Sequence, residues 1–180
     1  MKKSILFLNI FFLVLIKPLF SQTTDPSYIN YALSATITCN SSYGTGYSCD
    51  SINDGNRETV YLSAENVWPV VITLSWSTAV EFNTTIIWQG AQGDKILDYE
   101  IQKSIDGINF VVIVPRGERT FNMLLGSQEN LQSHDLGYAA GVTQSGVKLR
   151  YVFYGMTDVF CGMPIARKQI QIGEITVRKF

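Results

Sequence analysis

Apolar and polar side chains alternate with a period of two along much of the chain. Alternation of this kind is typical of a β-strand that turns one face to the core and the other to solvent. It appears in residues 33–38, 70–77, 97–102 and 147–153. Two shorter and more apolar runs, 84–89 and 110–114, predict central strands. No window keeps a helical period beyond two turns, so the pattern predicts an all-β domain.

Turn-forming pairs separate these runs. They are Asp54-Gly55, Gly90 with Gly93, Asp106-Gly107 and residues 115–117. Residues 104–110 predict a tight hairpin in which Asp106-Gly107 supplies the positive φ of a primed turn. The spacing predicts about eight antiparallel strands, arranged as a sandwich or jelly roll.

The last predicted strand contains a phase slip. Ile170 and Ile172 share one face, whereas Ile175 and Val177 share the other. A slip at Gly173 predicts a β-bulge, which leaves Glu174 on the core side. A buried carboxylate is unfavourable unless it is paired or bound to a metal. An exposed glutamate at a frayed edge remains the alternative.

The first residues have the pattern of an export signal. Lys2 and Lys3 precede an apolar run of twelve residues, 5–16, and Ser21 offers a small residue for cleavage. We predict a signal peptide over 1–21, a short segment over 22–29 and a secreted product. A transmembrane anchor is the alternative, but this run is too short to cross about 30 Å of hydrocarbon.

The net charge of the predicted mature chain limits the classes of molecule that it can bind. Removal of the three lysines before Ser21 changes the net charge from −1 to −4. Nucleic-acid binding relies on a basic surface, so we expect no nucleic-acid partner. The predicted product also lacks the basic amphipathic stretch of a membrane-surface helix.

Three cysteines are expected to meet an oxidising compartment. Cys39 and Cys49 would close a short loop and leave Cys161 odd, but a link from Cys161 to either of them is equally compatible with the sequence. Asn40 and Asn83 begin glycosylation sequons.

One turn is rich in oxygen donors. Asp54, Asn56 and Thr59 follow one another around a glycine, and Glu174 could approach them from the last strand. Calcium takes six to eight oxygen ligands in a flexible loop. These four residues are therefore the predicted metal site, with an ordinary Asp-Gly-Asn turn as the alternative.

Seven short segments, taken in order, resemble the coagulation factor 5/8 type C (discoidin-like) domain and the related galactose-binding-like carbohydrate modules. They lie at residues 39–42, 52–61, 71–74, 87–90, 104–110 and 147–152, with 172–177 closing the series. The resemblance covers nearly all of the predicted mature chain, so we assign a single domain to 30–180. It implies an all-β, eight-stranded antiparallel jelly-roll sandwich of the galactose-binding-domain type, with binding loops at one end. It also implies a structural Ca²⁺ on Asp54, Asn56, Thr59 and Glu174.

The same resemblance locates a ligand site. The loop 40–48 matches the first binding loop of such domains and carries Tyr43 and Tyr47. Flat aromatic rings pack against the C–H faces of sugars. The alternative is that one tyrosine packs on the rim of the roll.

Other residues complete the predicted carbohydrate site. Gln92 and Asp94 are expected to be polar partners in a second loop, which is too short and polar to favour lipid insertion. His134 is expected to lie in a loop, where it either donates to a sugar hydroxyl or is a plain surface histidine. Trp88 is expected in the core, and Arg150 in an ion pair with an acid at the core edge.

Catalytic sites find little support in the sequence. A single histidine excludes a multi-histidine metal centre, and Ser133, His134 and Asp135 are neighbours in sequence, unlike a triad assembled in space. We therefore predict a secreted, non-catalytic, lectin-like module whose partner is a glycan or a cell-surface glycoprotein. One shallow site binds weakly, so a homo-oligomer would add avidity. The alternative is a protein-recognition, adhesion or structural module with no sugar site.

Overall fold

A computed structural model describes residues 29–89, 94–121, 130–160 and 163–180. The predicted signal peptide lies outside these ranges. No helix in the described ranges is long and apolar enough to cross a membrane.

Strands dominate the architecture. They are β1 (Thr36–Cys39), β2 (Tyr61–Leu62), β3 (Val70–Phe82), β4 (Thr84–Gln89), β5 (Asp94–Ser104), β6 (Val111–Phe121), β7 (Asn130–Asp135), β8 (Gln144–Phe160), β9 (Met163–Ala166), β10 (Gln171–Ile172) and β11 (Glu174–Arg178). The regular helical structure in these ranges consists of three short 3₁₀ turns, Tyr31–Ser34, Cys49–Ile52 and Tyr138–Ala140. The predicted all-β class is confirmed. The strand count differs from eight because several short pieces are separate strands.

Two main sheets form the sandwich, and every strand pair is antiparallel. The larger sheet has the order β1-β3-β8-β5-β6, with β9 added beside β8. The smaller has the order β11-β4-β7, and β10 pairs with β2 at its side. Alternate residues of the facing strands fill the core, so that Ile72, Tyr99 and Tyr151 are fully buried with Ile87 and Val177. The period-two pattern thus forms the hydrophobic core.

Chain continuity defines two poles of the sandwich. β3 ends and β4 begins on either side of Asn83, whereas β4 ends and β5 begins on either side of residues 90–93. Cys39 pairs with Ile72 near the start of β3, which places the loop 40–48 at the second of these ends. We call this end the tyrosine pole. The other end, which holds Asn83, residues 136–143 and Phe180, is called the Phe180 pole.

The first predicted strand was drawn too long. Residues 31–34 form a 3₁₀ turn, because the Asn30 side chain accepts a hydrogen bond from Ala32 N (3.1 Å) and caps it. Asn30 Oδ1 also accepts from Val177 N (3.0 Å), which ties the turn to β11. Because Asn30 caps this turn and also bonds β11, residues 31–34 form a 3₁₀ turn although their alternating pattern predicts a strand.

One turn prediction was wrong, and a second was right about the hairpin and the positive φ of Gly107 (+78°) but wrong about the length of its loop. Pro115 and Gly117 lie inside β6, where the pairing with β5 is irregular. β6 is the edge of its sheet, and an edge strand tolerates a residue without an N–H. The Asp106-Gly107 hairpin has a connection of six residues, 105–110, since the Asp106 carboxylate accepts from Ile108 N (2.9 Å) and Asn109 N (2.8 Å).

The predicted irregularity in the last strand is confirmed. Gly173 separates β10 from β11 and donates its N–H to Trp88 O at 2.8 Å. Ile170 and Ile172 are buried before it, as are Ile175 and Val177 after it. Glu174 is only 2% exposed, so the alternative of a frayed edge is excluded.

Candidate functional site: an aromatic loop at the tyrosine pole

A disulfide closes the loop of the tyrosine pole. Cys39 and Cys49 are joined, with Cα atoms 5.8 Å apart across ten residues of sequence. The structure thus selects one of the three pairings and excludes a link from Cys161 to either cysteine. Cys161 itself lies outside the described residues.

Hydrogen bonds anchor the loop on both sides of its tip. Asn40 donates from Nδ2 to Pro69 O (2.9 Å) and accepts at Oδ1 from Val71 N (2.8 Å), as a neighbouring strand would. Further along, Tyr43 N donates to Leu62 O (2.9 Å). The buried Tyr61 donates its hydroxyl to Ser41 O at 2.7 Å. The loop is therefore held before any ligand arrives.

Two aromatic rings project from this frame. Tyr43 is 57% exposed and Tyr47 is 40% exposed. Their ring centroids are 6.0 Å apart and the ring planes meet at 75°. Neither ring belongs to the buried core, so both can contact a ligand. Together they form an angled apolar surface beside main-chain and serine polar groups.

The second predicted loop is only partly described. Gln92 lies outside the described residues. Asp94 begins β5, where its backbone pairs with Val159. β5 starts at the tyrosine pole, so Asp94 lies at the same end of the sandwich as the tyrosines.

His134 does not lie in a loop, and the structure does not bring it to the tyrosines. It is part of β7, opposite Thr85, the second residue of β4. This register places it toward the Phe180 pole. The polar run around His134 resembled a loop because β7 is an edge strand with exposed neighbours.

The imidazole of His134 is fastened between the sheets. Its Nε2 lies 2.5 Å from the hydroxyl of the buried Tyr99, and the two rings meet edge to face at 5.6 Å. Burial, with a smaller contribution from the positive charge of Arg119, lowers the pKa of His134 to about 4. The ring is therefore neutral at pH 7 and joins the two sheets.

Arg119 is a neighbour that sequence reasoning missed. Its guanidinium lies 4.6 Å from the Tyr99 ring centroid and donates to three main-chain carbonyls, those of Tyr99, Gly117 and Pro115, at 2.7–2.8 Å. These bonds hold the irregular part of β6 against β5. The only sequence feature that indicates this role is the position of Arg119 four residues after Pro115.

The structure brings together the predicted metal ligands. Glu174 accepts from Gly55 N and lies close to Asp54. Its pKa is raised to about 7, first by burial and then by the negative charge of Asp54, against the opposing effect of Arg57. Glu174 Oε2 has no hydrogen-bond partner among the described residues. A buried carboxylate oxygen without a partner beside a second carboxylate is a place where a cation fits.

The loop supplies further oxygens next to Glu174. The Asp54 carboxylate accepts from the main-chain N of Asn56 (2.8 Å) and from Thr59 Oγ1 (2.7 Å), so the three residues form one compact turn. All four donors are hard oxygens of the type that calcium prefers. The described residues hold no group of three or more His, Cys, Asp or Glu side chains able to bind a metal. Amide, hydroxyl and carbonyl oxygens would have to complete a calcium shell here.

Two further expectations are resolved by the packing. Trp88 is buried, as predicted, and the Arg57 guanidinium lies 3.5 Å from its ring centroid. The Arg150 guanidinium carbon lies 3.4 Å from the centroid of the Phe110 ring. Arg150 forms no ion pair with an acid in the described ranges, so that expectation was wrong. A half-buried aromatic ring therefore replaces the expected carboxylate.

Comparison with known proteins gives no match to a family model and none to a curated protein. Solved structures do match. The family 32 carbohydrate-binding module of Clostridium perfringens NanJ, in complex with galactose, has a TM-score of 0.62 and 15% identity over 84% of this chain and 99% of that one. The fold is the galactose-binding-like jelly roll.

Two other solved structures share this jelly roll. A Clostridium perfringens module, CpGH89CBM32-5, in complex with GalNAc-β-1,3-galactose, has a TM-score of 0.59 and 19% identity over 83% of this chain and 99% of that one. A chitosan-binding module from a Paenibacillus chitosanase/glucanase has a TM-score of 0.55 and 20% identity over 83% and 98%. The fold and the resemblance inferred from the sequence are thereby confirmed.

Proposed function

We propose that the chain is a secreted, non-catalytic carbohydrate-binding module that recognises galactose- or fucose-type glycans, free or on cell-surface glycoproteins, at its tyrosine pole. The observation that carries the proposal is the pair of exposed rings, Tyr43 and Tyr47, on a loop closed by a disulfide. Similar solved structures hold galactose and GalNAc-β-1,3-galactose, which supports the same ligand class.

The geometry suggests how a sugar would be held. A pyranose would lay its C–H face on one tyrosine and its edge against the other, since the ring planes stand at 75°. The loop is already anchored by the Asn40 side chain and by Tyr61, so little conformational entropy is lost on binding. Gln92 and Asp94 remain the proposed hydroxyl partners. His134 is not proposed as a ligand at this pole, because Tyr99 engages it.

A glycan array spanning the galactose, fucose and N-acetylgalactosamine classes tests this function. We expect selective binding by the wild type and a loss of about tenfold or more in Tyr43→Ala and Tyr47→Ala. Tyr154→Ala is the matched control, because its ring lies on Arg116 (3.8 Å) in the large sheet and outside the loop. Silence across all three classes would overturn the proposal.

The resident ion proposed for the site of Asp54, Asn56, Thr59 and Glu174 is Ca²⁺. It would neutralise two adjacent carboxylates and fasten the loop after β1 to the last strand. At a calcium concentration of 100 times Kd, the folded state would gain about 2.7 kcal/mol. The ion would thus be structural, without a role in catalysis.

Thermal melting with and without a chelator tests the calcium site. We expect a calcium-dependent rise in Tm that Glu174→Gln abolishes and Glu65→Gln retains, since Glu65 is an exposed glutamate that is not one of the four proposed ligands. Melting that ignores the chelator, together with no calcium by elemental analysis, would remove the ion from the proposal.

One observation favours protein recognition as a second candidate function. The hairpin between β5 and β6 exposes Ile105 (71%) and Ile108 (81%), with Val111 and Val112 beside them. Exposed apolar patches mark association surfaces. Sedimentation of the wild type and of Ile108→Ser decides whether this patch pairs two copies. Self-association lost in Ile108→Ser, together with a silent array, would favour this second function.

A further inference from the structure

We propose that the chain has a second saccharide site, in a cleft at the Phe180 pole. The cleft has a volume of about 330 Å³ and is lined by Thr84, Ser133, Asp135, Tyr138 and Phe180. This volume lies at the small end of the range for ligand pockets, which suits one or two sugar units.

The apolar wall of the cleft consists of two aromatic rings. Tyr138 is 57% exposed and Phe180 is 53% exposed. Their centroids lie 5.4 Å apart and their planes meet at 64°. Exposed aromatic rings set at an angle present faces on which the C–H groups of a pyranose can pack. The motif of the tyrosine pole thus recurs at the opposite end of the molecule.

The polar side of the cleft accepts hydrogen bonds. Asp135 binds Gly137 N (2.8 Å) and Ala139 N (3.0 Å), and these bonds lower its pKa, so it is ionised at pH 7. Each carboxylate oxygen keeps a further lone pair for a donor. Ser133 and Thr84 add hydroxyls. None of the described residues that line the cleft is basic, so we expect an uncharged sugar to bind there in preference to a sialic or uronic acid.

The cleft is built before any ligand binds. Gly137 has φ of +136°, and Val142 N donates to Gly137 O at 2.8 Å, which closes the loop. Phe180 is fixed by the side chain of Asn83, which donates from Nδ2 to Phe180 O (3.0 Å) and accepts from Phe180 N (3.0 Å). Asn83 is itself buried. Both aromatic walls therefore stand on hydrogen-bonded supports, which limits the entropy lost on binding.

The two sites lie far apart. β4, which contributes Thr84 to the cleft, runs from one pole to the other over six residues, which at about 3.3 Å per residue is roughly 20 Å. One copy of the chain could therefore bridge two glycans without forming an oligomer. The second site does not depend on the first, and each can fail alone.

Titration followed by amide NMR tests the second site. Galactose, N-acetylglucosamine and sialic acid are added separately to the full chain, with any purification tag at the amino end. We expect an uncharged sugar to shift the amides of residues 136–142 and sialic acid to leave them in place. Tyr138→Ala should weaken binding at the cleft by about tenfold, while Tyr43→Ala should leave it unchanged.

Several results would overturn the second site. They are the absence of cleft shifts at millimolar concentrations of both uncharged sugars, shifts with sialic acid alone, and cleft shifts that survive Tyr138→Ala unweakened. If Tyr138→Ala does not fold, Phe180→Ser provides the same test, since it removes the other ring. Shifts at residues 40–48 report the tyrosine pole separately, so failure of the proposed function is distinguished from failure of this site.

Discussion

Each pole exposes a pair of aromatic rings set at an angle, but the loops that carry the two pairs are held in place by different interactions. At the tyrosine pole, a covalent bond between Cys39 and Cys49 closes the loop, and the rings are 6.0 Å apart. At the Phe180 pole, the rings are 5.4 Å apart and are held by hydrogen bonds that Asp135 accepts from Gly137 N and that Asn83 donates to Phe180 O. A cross-link acts mainly on the unfolded chain, whereas a hydrogen-bonded turn depends on local backbone geometry. Reduction should therefore perturb one pole and backbone substitution the other.

The largest expected effect is at Gly137. A Cβ there would lie 2.4 Å from Val142 O, at a φ of +136° that side chains rarely adopt. We expect Gly137→Ala to reduce the free energy of unfolding by about 3 kcal/mol, through backbone strain and a clash. Urea unfolding measures this loss.

Gly141→Ala is the matched control for Gly137. It also has positive φ, at +65°, but a Cβ would meet nothing within 4 Å. Its destabilisation should stay near 1 kcal/mol. Equal losses in the two variants would show that the clash with Val142 is unimportant.

The disulfide should have the next largest effect. Paired replacement of Cys39 and Cys49 by serine should lower stability by about 2–3 kcal/mol, as expected for a loop of this length. Binding at the tyrosine pole should weaken, while the NMR shifts of residues 136–142 remain. Cys161→Ser serves as the control and should change neither; loss of cleft shifts in the double serine variant would contradict the independence of the poles.

The smallest expected effect is on acid stability. His134 has a folded-state pKa of about 4 against an ordinary value of 6.5, so it folds in the neutral form. Below pH 6.5 the unfolded chain binds the proton more readily, and the free energy of unfolding falls until pH 4 is passed. Because the ring is partly exposed, the contribution is about 1–2 kcal/mol.

Comparison of the wild type with His134→Gln separates the contribution of His134 protonation from other effects of acid on stability. Chemical unfolding at pH 7 and at pH 4 gives the two differences, and the wild type should lose more stability between them. An equal loss in both proteins would show that burial and the charge of Arg119 do not lower the pKa of His134.

The sequence predicts the parts of the fold that are decided locally. Alternation in β3, β5 and β8 follows directly from burial of one face. The slip at Gly173 raises the possibility of a buried Glu174, and the structure decides between that interpretation and an exposed side chain. Contacts between distant segments were not predictable. Asn30 caps a turn while binding β11, and His134 pairs with Tyr99, which is 35 residues away in sequence. No local pattern carries that information.

The candidate site divides in the same way. The tyrosines and the short disulfide loop are visible in the sequence, because they lie within ten residues of one another. The cleft at the Phe180 pole is not, since Thr84, Asp135 and Phe180 come from three separated strands or segments. Its two rings become neighbours only when β7 and β11 flank β4.

The side chains of Asn40 and Asn83 have a consequence for production in a eukaryotic host. Each starts a sequon, yet each donates its amide nitrogen to a main-chain carbonyl, Pro69 O for Asn40 and Phe180 O for Asn83. Attaching an oligosaccharide to that nitrogen would compete with the bond that fastens one end of the sandwich. During secretory expression, glycosylation of these asparagines would therefore compete with folding. Replacing both asparagines would prevent glycosylation, but it would also remove the two hydrogen bonds and so lower stability.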